Sequence, residues 1–263
     1  MSSDGPLPLP NEPHHGRGWA MLLHGSQLFT FVVPFAGTIA PFMTWRLKRS
    51  TVPEIAAHGM VVADWIYSYL IYLILGFLIS GIIVGPLLCL FVIACGLIFP
   101  VVGLVKAGRG KVWRYPLSLP IMQWLGVTET DCPTATTAVA PRLFDRLRLP
   151  LFSAALSVVF GVSPLVPSLI ASVVAAWNGC RLHEGFANPC VVCGVECGDI
   201  LYSMGICFLW AFATLPFGLI TLIASLLWLL LELFVTGQQR RDPTGAVTDV
   251  FADIAAHPAR DPR

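Results

Sequence analysis

The chain has 263 residues, of which 56% are hydrophobic and only 12% charged, with a formal net charge of +1. Soluble domains carry about 25% charged residues, so a water-soluble globular enzyme is excluded. The charges cluster, and between them stand apolar runs of about 20 residues or more, the length a helix needs to cross a bilayer. Backbone groups in lipid must be satisfied internally, and the period-two pattern of a membrane barrel is absent. The composition therefore predicts an all-α, polytopic helical membrane protein with about five transmembrane helices, three followed by two.

Residues 1–18 are polar and rich in Pro and Gly, and read as a disordered tail without the basic start of a signal peptide. The first span covers 19–45. It carries His24, Ser26 and Gln27 near its start and Pro34 and Pro41 further on. His24 and Gln27 are expected at headgroup depth, where polar groups are inexpensive. Arg46, Lys48 and Arg49 then stop the segment.

Apolar sequence resumes near Met60 and runs to Val105, too long for one crossing. Ser80-Gly81 and Gly85-Pro86 divide it into spans at 60–80 and 86–105. Asp64 lies near the start of the first of these. A carboxylate there is a functional-site hypothesis by default, and its shallow depth favours a capping or interfacial role. A basic stretch, 106–116, follows. Residues 19–126 thus form a three-span module.

Residues 127–150 read as a linker ending in a basic, interfacial segment, RLFDRLRLP. The fourth span, 151–177, has Ser153, Ser157 and Gly161 on one face, and Ser168, Ser172 and Ala176 on another stripe. Such stripes suit close helix contact. Pro164 and Pro167 should bend the helix between them. A cysteine-rich loop, 178–199, leads to the fifth span, 200–234, with a break expected near Pro216. The second module is therefore 151–238. The tail, 239–263, has Val247, Val250, Phe251 and Ile254 at helical spacing.

Five spans put 14 Lys and Arg on one side and only Arg17 and Arg181 on the other. The positive-inside rule then places the N-terminus outside and the C-terminus inside. The expected location is the bacterial inner (plasma) membrane, with the cysteine-rich loop on the oxidising face.

Residues 19–116 carry W-x-x-L-L-H-x-S, then I-A-P-F-M-T-W-R-L-K, His58-Gly59, and K-A-G-R-G-K-x-x-R-Y-P-L. This set resembles a bacterial membrane domain family described as similar to the Tic-twenty component of the chloroplast inner-envelope import machinery. Where that family carries a Glu and an Asn-Phe-Gln triplet, this chain has Val61 and Asp64-Trp65-Ile66. The second half carries N-G-C-x-L-x-E-G and P-C-x-V-x-G-x-x-x-G-x-x-L-Y-x-x-G. It resembles an uncharacterised family of two-span bacterial membrane proteins, in which cysteines matching Cys180 and Cys190 flank a short exterior loop.

Three chemistries compete for the loop. Disulfides suit an exterior face, with Cys180–Cys190 and Cys193–Cys197 as the chosen pairs among three connectivities. Cys190-x-x-Cys193 has the spacing of half a zinc site, which Cys180, His183 or Cys197 could complete. The same pair has thiol-exchange spacing, with Arg181 and His183 favouring a thiolate and Glu184 and Glu196 opposing it.

No phosphate-cradling loop and no His-Glu-x-x-His motif occurs, and Ser163 lacks a base at matching depth. The reading is a non-enzymatic membrane protein without cofactor, metal site or catalytic residue. Its expected partners are the lipid bilayer and other membrane proteins or further copies of itself, not nucleic acid. The Tic-twenty-like resemblance implies an accessory role in protein translocation or membrane assembly. The alternatives are a small transporter or channel using His24, Gln27 and Asp64, and an exterior thiol-redox or metal-binding protein.

Overall fold

A computed structural model of the chain describes residues 13–33, 36–48, 52, 54–127 and 143–241. The chain is mostly helical. Among the described residues, three helices are long and apolar enough to cross a membrane, or four if one bent pair counts as a single span.

The post of the bundle is α3 (Glu54–Leu78). Its buried side chains, among them Ile55, Val62, Ile66, Leu70 and Leu73, form the centre of the largest apolar cluster. Helix α3 therefore starts earlier than the sequence pattern indicates, and places His58 on a helix instead of in a loop. Helix α4 (Val84–Gly108) returns antiparallel after a tight turn. Gly76 and Gly85 permit this approach, because a side chain at Gly85 would strike the Gly76 carbonyl oxygen at 2.7 Å.

The first expected span is not one helix. Helix α1 (Pro13–Gly25) passes into a 3-10 segment, Ser26–Phe31, and α2 (Ala36–Lys48) follows after a turn. Val33 precedes Pro34, whose ring disfavours the helical conformation for it. The turn satisfies its own backbone: Val32 and Val33 N–H both donate to Phe29 O. The two arms then run back to back, with Gly37 so close to Thr30 that no side chain fits between them.

Both ends of this hairpin lie at the same end of the bundle. Gly16 abuts Val52 and the Glu54 side chain at the start of α3. Trp45 packs on Gly59, and the Lys48 ammonium lies 4.6 Å from the Trp19 ring centroid. The tip reaches Tyr69 of α3 and Gly96 of α4, about halfway along each. Residues 13–18, expected in a disordered tail, belong to α1. The rest of that tail, and the helix expected at 247–254, lie outside the described residues.

After α4 the chain folds back against α3. Tyr72 Oη donates to Leu117 O at 2.8 Å, and Leu119 N–H donates to Ser68 Oγ at 2.8 Å. The short helix α5 (Ile121–Trp124) seats Ile121 and Met122 in the core.

The second module begins with α6 (Leu143–Val162), so the expected linker already turns helical within its last residues. Helix α7 (Leu165–Trp177) continues at an angle of 41° to α6. Pro164 and Pro167 explain the bend, since neither can donate a backbone hydrogen bond to the turn before it. A two-stranded hairpin, β1 (Val191–Val192) and β2 (Val195–Glu196), precedes α8 (Gly198–Gly205). A 3-10 segment, Ile206–Trp210, joins α8 to α9 (Ala211–Arg241).

Helix α9 lies against α6, with Ser153 and Ser225 hydroxyls 2.9 Å apart and Thr214 Oγ1 donating to Gly161 O at 3.0 Å. The modules share one apolar cluster along α3 and α6, where Tyr67 meets Phe152 and Phe77 meets Phe160, and polar contacts lie at both ends of it. At the loop end, Ser203 Oγ donates to Ser80 O at 2.8 Å. At the other end, Arg46 of α2 pairs with Glu232 of α9.

Candidate functional site at a buried histidine pair

Helix α1 runs beside α4 because Gly103 and Gly108 remove the side chains that would hold them apart. A Cβ on Gly103 would lie 2.7 Å from His24 Nδ1 and 2.8 Å from Tyr115 Oη. Into this space α1 projects His24, α3 projects His58, and the segment after α4 contributes Tyr115.

His24 Nδ1 and Tyr115 Oη are 2.5 Å apart, and His24 Nε2 lies 2.9 Å from His58 Nδ1. Gln27 Nε2 donates to Tyr115 Oη at 3.0 Å. Every bond is satisfied when Tyr115 donates to His24 and His24 donates to His58. Trp65 closes the side, its ring at 83° to that of Tyr115 with centroids 5.8 Å apart. Burial pushes the Tyr115 hydroxyl well above its ordinary value, against a smaller opposing effect of the Gln27 hydrogen bond. Tyr115 is thus a neutral donor and acceptor.

His24 and Gln27 were expected to hydrogen-bond at headgroup depth, and the structure brings them into one buried network. His58 and Tyr115 complete it, although neither carries a chemical motif. The clue available was His58, a polar side chain at the start of an apolar run, whereas Tyr115 lies in a basic stretch and offered none.

Asp64 lies apart from the cluster. Its carboxylate accepts the Met122 N–H at 2.7 Å and so caps the first turn of α5 from another helix. Ser68, one turn on, donates to Asp64 O at 2.6 Å. The two residues fasten the segment that carries Tyr115.

Glu184 and Glu196 sit at the opposite end of the bundle, in the loop after α7. Glu196 Oε1 accepts N–H groups from Cys190 at 2.8 Å and Gly198 at 2.9 Å. These two bonds hold the Glu196 carboxyl below the usual carboxylate range. Glu184 borders a cleft beside α7. Cys180 and Cys190 form a disulfide.

The second expected bridge is absent: Cys193 and Cys197 are free thiols. The register pairs Val192 with Val195, which leaves Cys193 and Gly194 as the two turn residues. Their φ values of 51° and 84° are those of a type I′ turn. Cys193 therefore points from the tip while Cys197 sits at the base. With Cys190 bonded to Cys180, a Cys190–Cys193 metal or exchange pair has lost one member. Among the described residues no three His, Cys, Asp or Glu side chains gather as a metal site.

Sequence reasoning missed Glu232. It stands in a long apolar run and is 3% exposed, paired with Arg46 and accepting Trp228 Nε1–H at 3.1 Å.

No curated protein and no solved structure matches the chain. The expectation of a Tic-twenty-like module is overturned by a different family model, and the translocation role that it implied falls with it. The new match ends before the cysteine loop. Residues 15–122, which contain the whole histidine cluster, are similar to the MamF/MmsF family, the magnetosome magnetite crystal formation proteins.

Proposed function

We propose that the chain is a non-enzymatic integral membrane protein that takes part in magnetite crystal formation in a magnetosome-type membrane. The observation that carries this reading is a coincidence of boundaries. The matched segment begins in the first turn of α1 and ends at Met122, whose N–H is held by Asp64. The similarity thus covers one packed unit, locked at its last residue.

A structural role is supported by how the polar groups are used. His24, Gln27, His58 and Tyr115 bond to one another, and Asp64 bonds to backbone. Gln27 borders a cavity of about 40 Å³ that neither His24 nor Asp64 lines. That is room for about one water, which argues against a path for solutes.

In this reading the N-terminus faces the cytoplasm. The α1–α2 hairpin enters and leaves at one end of the bundle, where Arg17 lies against Gly110. Arg17 then joins the basic residues around 46–49, 106–114 and 142–148 and the C-terminal ones, leaving Arg181 as the single basic residue on the far side. The positive-inside rule favours four crossings after the hairpin, with the disulfide loop in the lumen or exterior.

Complementation tests the function. The chain is expressed in a magnetite-forming bacterium whose own proteins of this family are deleted, and crystal size is measured by electron microscopy. Restored crystal dimensions support the proposal. Stable insertion with crystals unchanged from the deletion strain would sink it.

A further inference from the structure

Helices α6 and α9 are in close contact up to Gly161 and Gly218, where a Cβ on Gly218 would lie 2.9 Å from Gly161 Cα. Beyond that point the 41° bend carries α7 away from the path of α6. The helical ladder of the opposite strand of chain is also interrupted there, by the 3-10 segment Ile206–Trp210. The result is a cleft of about 560 Å³ between α7, α8 and the 3-10 segment. Its walls are largely apolar, with Val166, Leu169 and Phe208 among them. It runs from Val162 at the end of α6 along α7 to Ser172, about 15 Å at the helical rise. At the loop end its rim changes character and carries His183, Glu184 and Tyr202.

An apolar groove on a helix that crosses a bilayer is filled by hydrocarbon, since water there leaves its hydrogen bonds unmade. The rim adds a polar requirement. The His183 Nδ1 accepts the Gly185 N–H at 3.0 Å, which leaves Nε2 as the protonated, donating nitrogen. The ring is held by stacking on Phe186, with centroids 4.1 Å apart. Tyr202 Oη donates to Glu184 O at 3.3 Å and ties the Glu184 backbone to α8. One donor and one carboxylate are thereby presented side by side in sequence above an apolar slot.

We propose that the cleft binds a single aminophospholipid, with an acyl chain along α7, its phosphate at His183 and its ammonium at Glu184. A zwitterionic headgroup matches both rim groups. A purely anionic headgroup meets the Glu184 charge as repulsion, which supplies discrimination. The Ser168–Ser172 stripe, expected to pack against another helix, makes one contact of that kind, Ser168 Oγ to Met204 O at 3.1 Å. Both serines border the cleft, and their small side chains leave room for the chain.

The test uses the full chain in phosphatidylcholine nanodiscs. Each sample holds a trace of phosphatidylethanolamine or phosphatidylglycerol with a photoactivatable diazirine in the acyl chain. Crosslinked peptides are mapped by mass spectrometry. The expected result is labelling within 162–172 and 202–208, about threefold higher with phosphatidylethanolamine, the size of effect an exposed charge supplies. Glu184→Gln should reduce that preference to parity without loss of folding. Leu169→Trp, which fills the slot, should remove labelling of these peptides by both lipids. Equal labelling of the native chain by the two lipids, or a preference unchanged in Glu184→Gln, would overturn the proposal. So would crosslinking of α7 to a second copy of the chain in place of lipid. None of these outcomes depends on magnetite formation.

Discussion

Arg46 and Glu232 form an ion pair that joins the first helical hairpin to the last helix, and Trp228 serves both partners. The Trp228 indole N–H donates to Glu232, and the Arg46 guanidinium lies 5.5 Å from the Trp228 ring centroid. Glu232 is buried, so removing its partner leaves a charge without compensation. Arg46→Met should destabilise the protein by about 3 kcal/mol. Arg46→Met with Glu232→Leu should recover most of that loss, because the pair is then replaced by apolar contact. Thermal unfolding in mild detergent measures both. A double variant no better than the single one would show that the pair itself is not what is lost.

The histidine cluster predicts opposite kinds of damage at two adjacent sites. Tyr115→Phe keeps the shape but leaves His24 and Gln27 without their shared partner, at a cost of about 1–3 kcal/mol. Gly103→Ala keeps every polar group but drives a methyl into His24 and Tyr115, and overpacking of this kind costs about 1–3 kcal/mol. The two should be strongly non-additive when combined, since both act on one network. Unfolding midpoints of the two single variants and the double variant decide it; simple additivity would mean that the contacts are independent.

Topology is testable with the chain's own thiols. Gly18 has open space around it, so Gly18→Cys should be tolerated. A membrane-impermeant maleimide should label Cys193, which is exposed, in spheroplasts without prior reduction. It should label position 18 only in inverted vesicles. Five crossings would instead put both on the same side. Cys180 and Cys190 should react only after reduction, and Cys180→Ala with Cys190→Ala should cost about 3 kcal/mol in the chain-entropy model.

Glu196 gives the loop a dependence on pH. Its carboxyl is held below the usual range by the Cys190 and Gly198 N–H groups. A lowered folded value means that the stabilisation is fully present above the unfolded value, near pH 4.3 for Glu, and is lost as pH falls through the folded value. The protection factors of the Cys190 and Gly198 amides, measured against the intrinsic exchange rate, should therefore fall on acidification below that range. Glu196→Gln should show lower protection than the native loop at neutral pH and no further fall across the same window.

The apolar runs told truthfully which residues lie in helices, but not how those helices are bounded. The run 19–45 is long enough to cross, and nothing in its composition distinguishes one crossing from two half-length arms. The distinction is made by contacts distant in sequence, Trp45 on Gly59 and Lys48 on Trp19. His24 and Gln27 were visible because polar residues in apolar runs stand out. Tyr115 was not, because it lies in a basic stretch that looks solvated and turns inward only through Tyr72, Ser68 and Asp64. Cys180–Cys190 and Cys193–Cys197 were equally plausible by spacing. A two-residue turn with Cys193 at its tip separates them, and turn register is set by pairing geometry.

The half-depth hairpin also gives the molecule a taper. At the end where the hairpin enters, the cross-section contains α1 and α2 as well as α3, α4, α6 and α9. At the other end α1 and α2 are missing. Such a body displaces more area in one leaflet than in the other, and a bilayer crowded with it relaxes by curving, with the crowded leaflet on the convex side. Enrichment in small over large liposomes would register the effect. In the orientation proposed above, the convex side is the cytoplasmic one, which is the curvature of a vesicle budding into the cell.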